Sequence, residues 1–466
     1  MHHTDAEIAL GLTKANENED AALERLFDLL RIPSISTDPA YAGNCSDAAE
    51  WLRRELAGLG FAAELHDTAG HPVVLATDHA ASGPHVLFYG HYDVQPVDPI
   101  ELWNRAPFEP YVVTAANGEL QIHGRGASDD KGQLMTFVEA CRALKSANDG
   151  VLPVKVTILI EGEEESGGKN LPLFLEKMKQ ALAGADIALV CDTDMWDRRT
   201  PAITSSLRGL VADDIVIEAA NRDLHSGMYG NAARNPNQVL AEIIASLRTP
   251  DGAVAVEGFY DGVEDLPEEV RDIWKTLDFD EAAYLGEVGL SVPAGEKGRS
   301  VMEQTISRPT CEINGMWGGY TGDGFKTVIP AKASAKISFR LVAGQDPKRI
   351  REAFHAHVRA RLPADCTVSF SPHGGSPAIT IPIDGHFLGL ARKALTEEWG
   401  REVALVGSGG SIPVAGEFKR ILGLDTLLIG FAQTDDNIHS PNEKYNVTSF
   451  MGGIRSWIRI LAAFGK

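Results

Sequence analysis

Five short polar clusters carry the side chains with which this chain could do chemistry. They are FYGHYDVQP with His91 and Asp93, GRGASDDKG with Asp129 and Asp130, LIEGEEESGG with Glu163, Glu164 and Glu165, LVCDTDMW with Asp192 and Asp194, and TDDNIHSPNE with Asp435, Asp436, His439 and Glu443. Each follows an apolar run, and the carboxyl end of a strand is where a layered α/β sheet presents its ligands. A lone histidine after a strand is more often a surface or core residue than a ligand, but the H-x-D spacing of His91 and Asp93 changes that. Residues two apart on a strand end point the same way, so Asp93 can accept from one ring nitrogen of His91 and leave the other for a metal. Three adjacent carboxylates at 163–165 repel one another unless a cation or a proton intervenes, and Asp129 with Asp130 poses the same problem. Two histidines and several carboxylates, with no cysteine among them, suit zinc or manganese. Two such ions about 3.5–4 Å apart need a shared carboxylate and leave another carboxylate free to act on water. That is the equipment of a hydrolase.

The elements that must position these groups read as alternating strands and helices. AALERLFDLL from Ala21 has apolar residues at helical spacing, and Ser46 is placed to cap a second helix whose Trp51, Leu52 and Leu56 share a face. Short β-branched runs at Pro72–Ala76, His85–Tyr89, Leu120–His123, Val154–Ile160 and Ile187–Cys191 read as strands, with a helix over Leu134–Leu144. This predicts an α/β fold, with a catalytic domain built on a mixed β-sheet between helices. After Arg208 the style changes: strands at Val211–Ala219, Ala335–Val342 and Thr367–Ser371, helices at Asn237–Leu247 and Asp346–Leu362, and an irregular stretch from Thr249 to about Ile329. These predict an inserted α+β domain over 205–375 and a discontinuous catalytic domain made of 1–204 and 376–466. The second part carries a helix at Phe387–Trp399, strands at Val403–Val406 and Thr426–Ile429, and a last helix at Thr448–Phe464.

Over 466 residues, 44% hydrophobic and 23% charged side chains supply a sizeable core. Lys and Arg number 43 against 65 Asp and Glu, a net charge of −22 that repels phosphate backbones and anionic headgroups. Nucleic acid and membrane are therefore not expected as partners. The five cysteines are scattered, with no C-x-x-C pair, which argues against a disulfide framework or a thiolate zinc site and for a reducing compartment. The acidic first twenty residues resemble no signal peptide, and a cytoplasmic location is expected.

The ordered set HYDVQP, GRGASDDKGQ, EGEEESGG, CDT and NIHSPNE, with DLHSG and GGSIPV between, resembles the co-catalytic metallopeptidases of the carnosinase, cytosolic dipeptidase and aminoacylase superfamily. The match is best to the cytosolic non-specific dipeptidase branch. The resemblance implies two divalent ions per chain, zinc before manganese: His91 and Asp192 on one, Glu165 and His439 on the other, and Asp129 bridging, with a cis Asp129–Asp130 peptide. It implies Glu164 as general base, Asp93 as the group that orients His91, and hydrolysis of dipeptides. The inserted domain becomes a lid through which two chains form a homodimer, His225 of DLHSG reaching across to stabilise the oxyanion. Arg340 in ISFRLV would bind the substrate carboxylate. So would the glycine-rich turn GSGGSIPV, whose backbone N–H groups around Gly410 and Ser411 hydroxyl suit a carboxylate as well as a phosphate. His373 in SPHGGSP marks either a substrate contact or the hinge. Glu163, Asp130 and Asp194 leave open a one-residue slip or a rival ligand. The same chemistry would serve an N-acyl amino acid or N-succinyl diamino acid amidohydrolase. A peptide-binding homologue without catalysis predicts a damaged ligand set, and none is seen.

Overall fold

Three of the apolar runs, Lys155–Glu161, His85–His91 and Ile187–Val190, lie side by side as parallel strands in the computed structural model, which describes residues 5–409 and 412–466. They are buried along almost their whole length, as strands covered on both faces must be. Val73–Asp78 and then Ala62–His66 extend this sheet antiparallel on one side. Thr426–Leu428 adds a parallel strand on the other side and Ala202–Leu207 an antiparallel one. The sheet is therefore mixed. Its core is aromatic: Phe88 stacks on Phe137 at 3.8 Å, and Trp457 of the helix Val447–Phe464 meets Phe88, Phe137 and Phe431 edge-on.

A separate antiparallel sheet joins Lys444–Asn446 to Leu120–His123 and Tyr111–Thr114. It draws the NIHSPNE segment alongside the GRGASDD loop, although 314 residues separate Glu443 from Asp129. No helix among the described residues is long and apolar enough to cross a membrane.

The chain divides into two units, one of residues up to Ser205 with Ile381–Val406 and Pro413–Lys466, the other of Ser206–Thr380 with the described part of Gly407–Ile412. The insert thus runs past 375, because Ile379 and Thr380 pair with Leu207 and Ser206. Within it, Thr310–Gly318, Lys332–Leu341, Gly209–Glu218 and Thr367–Ser376 form an antiparallel sheet in that order. Alternate residues, among them Val211, Ile215, Ile337 and Phe339, point into a core shared with Leu240 and Ile243 of the helix Pro236–Ala245 and Phe354 and Val358 of the helix Pro347–Ala360. In Gly209–Glu218 and Lys332–Leu341 the other face carries the even-numbered residues, which are partly buried or exposed.

Two further expectations need correction. Ser46 caps nothing: it lies inside the helix Ala42–Gly58, its hydroxyl donating to the Ala42 carbonyl at 3.3 Å. The stretch 249–329 is not irregular throughout, since it holds the helices Glu268–Thr276 and Glu281–Glu287. It also holds the whole strand Thr310–Gly318, which escapes a pattern search because a bulge between Ile313 and Gly315 interrupts it and because much of it is exposed, without alternation.

One buried polar contact of the insert yields a pH prediction. His357 Nε2 lies 2.9 Å from Ser246 Oγ, and burial, with Arg361 second, pushes the imidazole down to about 4. The unfolded imidazole titrates near 6.5, so its neutral form contributes fully above about pH 6.5 and that contribution is lost as pH falls toward 4. The urea midpoint of the insert is expected to drop between pH 7.5 and 5, and to drop less in His357→Gln, which cannot take up the proton. Parallel pH dependences in the two proteins would refute this assignment.

Candidate metal centre

The three parallel strands end at one edge, and each delivers a polar group there. His91 is the last residue of its strand. Asp192 stands two residues past Val190, and Glu164–Ser166 form a single helical turn just after Glu161. His91 Nε2 points to Asp129 Oδ1 at 3.2 Å and Asp192 Oδ2 at 3.9 Å. His439 Nε2 lies 2.9 Å from the other oxygen of Asp129 and 3.4 Å from Glu165 Oε1. Two groups of potential ligand atoms result, His91 with Asp129 and Asp192, and Asp129 with Glu165 and His439, each with its atoms within 4.8 Å of one another. Asp129 belongs to both. The Asp129–Asp130 peptide is cis.

Asp93 is fully buried and ties the two groups together. Its Oδ2 accepts from the Glu165 backbone N–H at 3.0 Å and from Ser36 Oγ at 2.6 Å, and Oδ1 sits 3.4 Å from His91 Nδ1. His91 Nδ1 also lies 3.1 Å from the Asp93 carbonyl. With Nδ1 engaged by these acceptors, Nε2 faces the carboxylates, where it is buried and makes no aligned hydrogen bond.

The three consecutive glutamates have separate surroundings. Glu163 accepts two hydrogen bonds from Asn170 Nδ2, at 3.0 and 2.8 Å. Glu165 faces His439 and accepts from Gln95 Nε2 at 2.6 Å. Glu164 accepts no hydrogen bond from a described side chain; burial first, opposed by His91 and reinforced by Glu165 and Asp129, raises its pKa. Asp130 turns its Oδ2 to the His91 N–H at 3.0 Å. Asp194 joins neither ligand group.

The carboxylates and imidazoles shift one another's protonation. Burial works to raise Asp129, but the hydrogen bond from His439 and the nearby His91 imidazole outweigh it and hold the carboxylate well below its usual range. Asp192 is pushed well above its range by burial and by the charge of Asp129. Asp129 and then Glu165 raise His439 to about 10. The oxygen and nitrogen donors gathered here fit zinc or manganese.

Two groups that received no role from the sequence prove to be positioning groups. The buried Glu443 carboxylate accepts from Arg125 Nη1 at 2.8 Å and from the backbone N–H groups of Gly126, Ser128 and Asp129 at 2.8, 2.9 and 3.0 Å. It therefore sets the loop that presents Asp129. Its only sequence signal was its place four residues after His439. Gln95, four residues after His91, gave no signal, because a neutral amide is not a metal ligand.

The insert places its own candidates. His225 is exposed, and its Nδ1 accepts from the Gly227 N–H at 3.0 Å, which puts the ring proton of the neutral form on the outward Nε2. Arg340 lies on the sheet face opposite the core. His373 is exposed and held by Asp214 at 2.9 Å in a surface cluster with Lys336. Gly410 and Ser411 lie outside the described residues.

A mixed α/β sheet at whose edge two imidazoles and two further carboxylates gather around a shared aspartate is the architecture of a metal-dependent hydrolase. The chain belongs to peptidase family M20/M25/M40, whose model matches residues 87–463. It is 30% identical over 456 residues to a Cys-Gly metallodipeptidase of Schizosaccharomyces pombe, covering 94% of each chain. It is 31% identical over 401 residues to the human Beta-Ala-His dipeptidase, covering 84% of this chain and 76% of the relative. Among solved structures, an M20 family metallo-carboxypeptidase from Sulfolobus solfataricus superposes with a TM-score of 0.80 at 33% identity, over 95% of this chain and 99% of that one.

Proposed function

We propose that this protein hydrolyses dipeptides at a dinuclear metal site. The observation that carries the reading is the pair of ligand groups sharing Asp129, with Glu164 beside them and unengaged. His91 and Asp192 would hold one ion and Glu165 and His439 the other, with Asp129 within reach of both; zinc is favoured and manganese also fits. Divalent ions held there would supply water activation and carbonyl polarisation. Glu164 accepts the proton as the water attacks and returns it to the departing amine. Asp93 keeps the His91 ring in its orientation.

The remaining groups come from the insert. Outward Nε2–H of His225 suits a donor to the developing oxyanion, supplied from a partner subunit. A homodimer is supported by the strand Thr310–Gly318, which forms one edge of its sheet and exposes Ile313, Met316 and Trp317; an unpaired apolar edge invites pairing with a second copy. Arg340 takes the free carboxylate of the substrate, a group common to Cys-Gly and Beta-Ala-His dipeptides and to carboxypeptidase substrates. Neither nucleic acid nor membrane enters the reading.

The test is to incubate the metal-loaded protein with a mixture of dipeptides, tripeptides and N-acyl amino acids. Dipeptides alone are expected to disappear, and a chelator is expected to abolish the loss. Amidating the C-terminus removes a charge-assisted hydrogen bond worth about 1.5–3 kcal/mol, so the amide should react about ten- to a hundred-fold more slowly. Consumption of acyl amino acids instead would move the reading to an amidohydrolase, and activity untouched by chelator would end it.

A further inference from the structure

The sheet face of the insert that points away from its core carries an unbalanced charge. Arg340 stands opposite Leu210 and Thr310 in the two flanking ladders, and Arg208 lies two residues before Leu210, so both arginines project from the same face. They line a cavity of about 750 Å³ that also takes in Arg248, Arg308, Glu296 and Glu312. Two of these four guanidiniums are neutralised: Arg308 pairs with Glu296 at 2.9 Å, and Arg248 with Glu312 at 2.7 Å.

Arg208 and Arg340 have no carboxylate partner among the described residues. Arg208 Nε donates to the Gly409 carbonyl at 3.4 Å, while its Nη1 is buried and makes no hydrogen bond to a described residue. Burial, and next the charge of Arg340, lower the Arg208 guanidinium to about 10, which leaves it charged at neutral pH. Two adjacent cations facing one cavity are relieved by anions, and a single substrate carboxylate relieves only one of them. Tyr284, Leu285 and Val301 add apolar wall beside the charges, which suits a short methylene chain.

We infer that Arg208 and Arg340 form a site for two carboxylates, so that the preferred dipeptides end in glutamate or aspartate. This rests on the dipeptidase reading, in which Arg340 takes the terminal carboxylate; Arg208 takes the side-chain carboxylate through planar, charge-assisted hydrogen bonds.

The test compares alanyl-glutamate with its isostere alanyl-glutamine on the metal-loaded protein at fixed ionic strength. The wild type should favour the acid about ten- to a hundred-fold in kcat/KM. Arg208→Gln should bring the ratio close to one, and Arg208→Lys, which keeps the charge, should retain part of the preference. In parallel, calorimetry with glutarate and its monoamide, glutaramate, should show tighter binding of the dicarboxylate by about ten-fold, lost in Arg208→Gln. A wild-type ratio near one, or a ratio unchanged in Arg208→Gln, overturns the inference. If no dipeptide is hydrolysed at all, the dipeptidase reading falls, and the calorimetric preference alone then upholds or overturns the two-carboxylate site.

Discussion

Glu164→Gln is expected to lower kcat by about 10²–10⁴ while the protein keeps its full complement of bound metal. The amide has the shape of the carboxylate but accepts no proton from the attacking water. Because Glu164 makes no hydrogen bond to a described side chain, the substitution removes none. Glu165→Gln should behave differently. Its carboxylate faces His439 and takes a hydrogen bond from Gln95, so the amide should weaken metal binding, and activity should recover in part at high metal concentration. Elemental analysis beside steady-state kinetics separates the two variants. Metal loss in Glu164→Gln with metal retained in Glu165→Gln would shift the assignment along the three glutamates by one residue.

His225→Ala homodimers are expected to bind metal normally and to lose about 10²–10³ in kcat, the usual cost of an oxyanion donor. His225 is far in sequence from every proposed ligand and presents Nε2 outward, which motivates the second half of this prediction, complementation between chains. Refolding His225→Ala with Glu164→Gln should create mixed dimers in which one site has both defects and the other has neither. Random assembly makes about half the dimers mixed, each with one good site, so roughly a quarter of wild-type activity should return. A mixture that stays inactive although mixed dimers are demonstrated would place His225 in its own chain's site and remove the functional need for the dimer.

Much of the site was legible because the residue types and their neighbours in sequence are local properties. Strand runs ending in HYD, EEE and CDTD announce carboxylates and an imidazole at strand ends, and the absence of cysteine from the set points to oxygen and nitrogen coordination. The alternation of strands and helices, and its break after Arg208, predicted a mixed sheet interrupted by an insert.

What the sequence could not decide depends on neighbours across space. Adjacent carboxylates 163–165 are equivalent in a string of letters; only the packed turn gives Glu163 to Asn170 and Glu165 to His439. Asp129 and His439 meet because the strand Lys444–Asn446 pairs with Leu120–His123, a long-range ladder with no local signature. The same pairing lets Glu443 fasten the Asp129 loop through backbone N–H groups, whose availability no side-chain pattern records. Edge strand Thr310–Gly318 and the unneutralised pair Arg208 and Arg340 belong to the same class. Local sequence determined which groups were available for chemistry, while sheet order and register determined which stand within bonding distance, because partners in a ladder are chosen by the whole fold rather than by their sequence neighbours.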